Sequence, residues 1–199
     1  FFRKKLNSFL NLDCEIKQIK KIGNKYSINN KLYDYVVNCT YYQNFIKINN
    51  SIIYEVTSSL IYKNKQPFPA LTIMDGPFFT IYPYKKNYFN IYSVVHSRFA
   101  QSRNIKKWKN FLSKIRKNEK FLHNKRNLIE TQIEDFYPVF KKNFKFKKYL
   151  TCVRTINNSN NAERSYKLIR DKNFFNIYSG KIDHIMPAAK EIIGSLIKN

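Results

Sequence analysis

Apolar runs at residues 70–74 and 78–82 stand on either side of Asp75-Gly76-Pro77. Runs of this length around turn-forming residues predict two strands joined by a tight connection. Gly76 frees the backbone there, and Pro77 has no N–H to give to a ladder. Pro83 closes the second run. A third run, residues 88–96, follows the polar break Lys85-Lys86-Asn87, giving an antiparallel meander with Tyr82, Tyr84, Tyr92 and His96 available to line one face. Upstream, residues 15–22, 25–28 and 33–38 read as strands separated by Gly23-Asn24 and Asn29-Asn30. The Val-rich run at 33–38 predicts a strand covered on both faces. Leu6, Phe9 and Leu10 suit the end of an amphipathic helix. Residues 51–62 read as a long strand, and 63–69 as a loop.

The second half opens with a helical pattern over 103–117, with Ile105, Trp108, Phe111, Leu112 and Ile115 on one stripe. A second runs over 119–136 through Phe121, Leu122, Leu128, Ile129 and Ile133, with Pro138 as a stop. Residues 147–156 predict a strand carrying Arg154 near its end, and 157–163 a polar loop. Strands at 166–170 and 174–178 lead to a break at Ser179-Gly180-Lys181-Ile182-Asp183. The closing helix has Ile185, Ala189, Ile192, Ile193, Leu196 and Ile197 as its stripe, Asp183 as a cap and Pro187 in the first turn, where proline is tolerated.

The formal net charge of +24, from 37 Lys+Arg against 13 Asp+Glu, invites a nucleic-acid or anionic-surface partner. Asn, Lys, Ile, Tyr and Phe rise together, however, while Gly falls to 4, a joint bias that fits an AT-rich coding sequence. The basic residues are scattered except over 105–120, so a solvated surface is favoured over nucleic-acid binding. Cys14, Cys39 and Cys152 form no CxxC pair and no disulfide framework, which predicts reduced thiols and a cytoplasmic setting. No apolar run approaches the ~20 residues of a membrane span. The chain opens on Phe1, read as a processed start or the later part of a longer chain.

GxSxG, HExxH, P-loop and GxGxxG patterns are all missing, and His96, His123 and His184 have no metal-ligand spacing. One local arrangement favours negative charge. A strand enters Ser179-Gly180-Lys181 and a helix starts directly after, so free N–H groups and the positive helix end face one spot. A phosphate or the electron-rich pyrimidine edge of a reduced flavin suits it.

Several segments in order resemble the C-terminal half of the D-amino-acid-oxidase-like family of FAD-dependent oxidoreductases. Asp34-Tyr35-Val36-Val37-Asn38-Cys39-Thr40 is similar to the strand that returns to the FAD domain. Residues 15–28 are similar to the small meander before it, 70–84 to part of the substrate-domain sheet, and 174–197 to the final strand, turn and helix. The resemblance implies an α+β or α/β fold, with a mixed, largely antiparallel substrate-domain sheet flanked by helices, plus closing strands and a C-terminal helix of an FAD-binding domain. It divides the chain into 1–45, part of the FAD-binding domain; 46–156, the substrate domain with a helical insertion at 101–136; and 157–199, the return to the FAD-binding domain. The family's N-terminal FAD fingerprint has no counterpart in these residues, so the implied enzyme is incomplete.

The implied activity is removal of hydride from a C–N or C–O bond of a small-molecule substrate, with FAD as cofactor. Asn38, Cys39, Thr40, Ser179, Gly180, Lys181, Ile182 and Asp183 are the implied cofactor contacts. Arg154, Tyr82 and His96 are the candidate substrate contacts; Arg154 is either a carboxylate clamp or a structural ion-pair arginine. Two other readings compete. One is a basic binding protein whose Lys106, Lys107, Lys109, Lys114, Arg116, Lys117 and Lys120 form a single patch. The other is an inactive oxidoreductase-like scaffold.

Overall fold

A computed structural model of the chain describes residues 2–41, 45, 52–157, 165–179 and 182–197, without the side chains of 2, 3, 105, 106, 108, 109, 157 and 182. A short helix α1 (Phe2–Leu6) leads to β1 (Lys20–Ile22), β2 (Lys25–Ile28), β3 (Lys31–Tyr33) and β4 (Val36–Asn38). Next come β5 (Ile52–Asn64), β6 (Leu71–Thr72), β7 (Phe79–Lys85), β8 (Tyr88–Ser93) and β9 (Arg98–Ser102). Helices α2 (Ile105–Lys117), α3 (Glu119–Glu134) and α4 (Phe140–Asn143) precede β10 (Phe144–Asn157). The chain ends with β11 (Lys167–Asp171), β12 (Phe174–Tyr178) and α5 (Ile185–Ile197).

The fold is mixed α+β, as expected, with three sheets among the described residues. The largest is antiparallel, ordered β10-β5-β8-β7-β6, with β9 also on β5. β5 is paired along its length by β10, from Ile52↔Asn157 to Asn64↔Phe144. Its other edge is shared: β9 takes Tyr54 to Thr57, and β8 takes Leu60 to Lys63. A small sheet β1-β2-β3 is an antiparallel meander. In the third, β12 pairs antiparallel with β11 and parallel with β4.

Alternate residues of a strand face opposite sides. Ile52, Tyr54, Val56, Leu60 and Tyr62 all point one way, onto α2 and α3. Leu60 and Tyr62 join Phe79, Ile81, Phe89 and Ile91 against Ile129, Ile133, Phe140 and Phe144. Ile52, Tyr54, Val56 and Val153 meet Ile115, Leu122 and Tyr178, which brings the end of β12 onto the large sheet. Asn118 caps α3, its Oδ1 accepting from the Phe121 N–H at 3.0 Å. Tyr26, Val36 and Phe174 make the third cluster, and the Tyr26 hydroxyl donates to the Asp171 carbonyl at 3.1 Å.

Several expected elements differ. Residues 33–38 are two strands in two sheets, broken at Asp34-Tyr35. Val37 is exposed, so β4 is not covered on both faces. Of 15–22 only Lys20–Ile22 is strand, and of 70–74 only Leu71–Thr72. Pro83 does not end β7, because a register shift between Pro83 and Lys85 absorbs its missing donor. The third run stops at Ser93; residues 94–97 turn, and β9 follows. Leu128 is exposed while Glu130 is buried, since Tyr62 donates to Glu130 Oε1 at 2.6 Å and Arg126 and Lys141 lie beside it. In α5 the buried positions are Ala188 and Ile192; Ile185, Ile193 and Ile197 are exposed.

Phe140 is fully buried and stacked on Phe144 at 4.9 Å. Phe140→Ala is expected to lower the urea-unfolding free energy by about 3–5 kcal/mol. Leu128→Ala should change it by less than about 0.5 kcal/mol.

Candidate functional site

The face of the large sheet turned away from α2 and α3 carries the odd-numbered residues of β5. Glu55 is fully buried there. Register places it between Arg154 of β10 and Gln101 of β9. Arg154 Nε donates to Glu55 Oε1 at 2.5 Å, Gln101 Nε2 donates to Oε2 at 2.7 Å, and Arg98 Nε lies 4.0 Å from Oε2. The Arg154 guanidinium also lies over the Tyr92 ring, 5.9 Å from its centroid. With Nε committed to Glu55, the terminal nitrogens of Arg154 are bonded to nothing among the described residues, and the side chain is about a third exposed. A planar donor fork held from behind by a buried carboxylate can receive a carboxylate or phosphate in front. Tyr82 lies on the same face, since it pairs with Asn90 and Asn90 with Ile61. Its hydroxyl and that of Thr72 are 2.8 Å apart.

The second component is the end of the parallel pair. Asn38 is level with Asn176, and its Nδ2 donates to Asn176 Oδ1 at 2.9 Å. Asn38 Oδ1 accepts from the Thr40 N–H at 3.0 Å and from Thr40 Oγ1 at 2.7 Å, turning the chain as it leaves β4. Asn176 is fully buried, and its Nδ2 donor has no partner among the described residues. At the exit of β12, Ser179 Oγ and His184 Nδ1 are 2.8 Å apart, and the Tyr166 hydroxyl beside that ring donates to Glu191 at 2.5 Å. Ligands of parallel α/β sheets settle outside the carboxyl ends of strands. The hydroxyl and amide groups gathered there suit a polar, planar cofactor edge.

Tyr41 joins the two components. Burial pushes its hydroxyl up from the usual tyrosine range, while the Thr155 backbone and the Arg154 charge pull it back. The chain leaving β4 thus comes against the part of β10 that carries Arg154.

The structure places Asn38, Cys39 and Thr40 together at the end of β4, with Ser179 at the neighbouring exit of β12. Asp183 is exposed in the 3-10 turn Ile182–His184; Gly180, Lys181 and the Ile182 side chain lie outside the described residues. Arg154 and Tyr82 share a face. His96 does not join them: it sits in the turn after β8, where its N–H donates to Ser93 Oγ and the Lys125 charge of α3 reaches it. Glu55, Gln101, Asn176 and Tyr41 escape sequence reasoning; the one available signal was an acid inside the apolar run Ile52 to Val56. Among the described residues no group of His, Cys, Asp or Glu can hold a metal ion, and no helix is long and apolar enough to cross a membrane.

No family model matches the chain. It is 27% identical over 194 residues to an FAD-dependent monooxygenase of Fusarium mangiferae, an alignment covering 97% of this chain and 52% of that protein. The chain therefore spans about half the length of this curated relative.

Burial, and then the Lys125 charge, holds His96 below its usual value of 6.5. The unfolded chain then takes up this proton at higher pH than the folded one, so stability is lost as pH falls through that usual value and levels off below the folded one. His96→Gln should flatten this part of the profile in urea midpoints taken from about pH 8 to about pH 5. Arg154→Ala strips a buried carboxylate of its closest donor and should cost about 3 kcal/mol; adding Glu55→Leu should recover most of it.

Proposed function

We propose that the chain is the substrate-facing and cofactor-closing part of an FAD-dependent oxidoreductase. The observation that carries this reading is the corner where the carboxyl ends of β4 and β12 come, through Tyr41, against the stretch of β10 that holds Arg154 and Thr155. Similarity to an FAD-dependent monooxygenase along nearly the whole chain supports the cofactor. Among the described residues β4 pairs with β12 alone and Val37 is exposed, which is compatible with further parallel strands of a nucleotide-binding sheet.

In this reading Asn38, Thr40, Ser179 and the start of α5 hold the flavin edge, with the helix end favouring negative charge there. When bound, the flavin supplies the two-electron redox chemistry. Arg154 clamps an anionic group of a small substrate, Glu55 fixes the orientation of its guanidinium, and Tyr92 flanks the approach, while Tyr82, level with Ile61, lies further along the same face. The arrangement proposed is D-amino-acid-oxidase-like, with hydride leaving a C–N or C–O bond of the substrate. The curated relative favours a second reading, in which the same corner serves a monooxygenase.

The test is to express the gene product with its upstream coding region and record its visible spectrum. Bound flavin is expected. Anaerobic bleaching by an amine or hydroxy acid alone supports hydride removal from substrate; bleaching only by a reduced nicotinamide supports the monooxygenase. Arg154→Lys keeps the charge but loses the fork, and should raise KM for a carboxylate substrate roughly tenfold or more with bound flavin unchanged. A folded, colourless protein that takes up no FAD overturns the proposal.

A further inference from the structure

At the other end of the same sheet face lies a groove of about 560 Å³, lined by Ile61, Tyr84, Lys85, Tyr88, Lys147 and Lys148. Ile61 lies six steps along β5 from Glu55, roughly 20 Å at the rise of a strand. The groove is therefore separate from the Arg154 corner and does not depend on the flavin reading.

Two register shifts build it. In β10 the shift falls between Phe146 and Lys148, so Lys147 is an extra residue and both lysines stand opposite Ile61. In β7 it falls between Pro83 and Lys85, so Tyr84 is extra and stands with Lys85 opposite Tyr88. A β-bulge re-aims side chains that regular alternation would separate, and bulges concentrate beside functional sites. Here two bulges, on the two sides of the β5–β8 pair, converge on one spot.

The chemistry of the lining is one-sided. It holds three ammonium groups, two phenol rings, an apolar floor at Ile61 and no carboxylate. Lys85 Nζ sits over the Tyr88 ring at 4.7 Å, and among the described residues none of the three lysines is paired with an acid. Clustered lysines suit a phosphate, which carries nearly two charges at neutral pH, and the rings offer flat apolar surface for stacking.

We infer that this groove binds a ring-bearing organic phosphate, its phosphate held by Lys85, Lys147 and Lys148 and its ring laid against Tyr84 and Tyr88. The test is calorimetric titration of the 199-residue chain with phenyl phosphate, inorganic phosphate and phenol. Phenyl phosphate should bind more tightly than either of the others. The double variant Lys147→Ala/Lys148→Ala should weaken it roughly tenfold or more. Tyr84→Leu should bring phenyl phosphate down towards inorganic phosphate while leaving the latter unchanged. A control pair on α2, Lys107→Ala/Lys117→Ala, should change nothing. All these positions are exposed, so circular dichroism should be the same for every variant. Unaltered affinity in the Lys147/Lys148 variant, equal weakening by the α2 pair, or inorganic phosphate binding as tightly as phenyl phosphate overturns the inference.

Discussion

The antiparallel pairing of β5 with β10 is the constraint on which the rest depends. It runs the whole length of β5, from Ile52 to Asn64. On its other edge, β9 and β8 divide that length between them. The even residues of β5 recruit α2 and α3 into the core, because Tyr54, Val56, Leu60 and Tyr62 must all leave water on that side. The odd residues then define the opposite face, and register alone decides which side chains share it.

That division explains how one sheet carries two polar environments without losing its core. At the β9 end, Glu55 is buried only because two arginines and an amide surround it; an unpaired carboxylate in that position would be untenable. At the β8 end the same face opens into the lysine-lined groove, whose lining holds no acid. The face thus carries an acid compensated by arginines at one end and, at the other, ammonium groups with no acidic partner among the described residues. The small parallel sheet meets the first end, through Tyr41 against the Arg154–Thr155 stretch of β10 and through Tyr178 on the helix side.

Much of this was legible in the sequence where a local pattern and its tertiary role agree. Helices α2 and α3, the long strand at β5 and the β11–β12 hairpin fall where periodicity puts them, though Leu128 of the expected α3 stripe is exposed and the side chains of Ile105 and Trp108 in the α2 stripe lie outside the described residues. The convergence of Asn38 to Thr40 with Ser179 also follows the order of segments expected from the resemblance, now as a parallel pair. What escaped was set by register and by competition between neighbours. Pro83 reads as a stop, yet a bulge lets β7 pass through it. Leu128 reads as core, yet Glu130 takes that direction because Tyr62 and Arg126 satisfy it. Residues 33–38 read as one strand, yet Tyr33 pairs with Tyr26 and Val36 with Phe174, in different sheets. Glu55 is visible as an anomaly in an apolar run, but its partners, 46 and 99 residues further along the chain, are not.

The shortness of β4 has a bearing on how the molecule behaves among copies of itself. Strand edges are templates for self-association; among the described residues β4 pairs with β12 alone, and its three residues offer a neighbour little length to pair with. The net charge of +24 adds mutual repulsion, which reaches only about 10 Å at 0.1 M salt. Colloidal solubility of the chain therefore leans on long-range charge as well as on shape, and concentrated salt weakens the first of these protections while leaving the edge as it was.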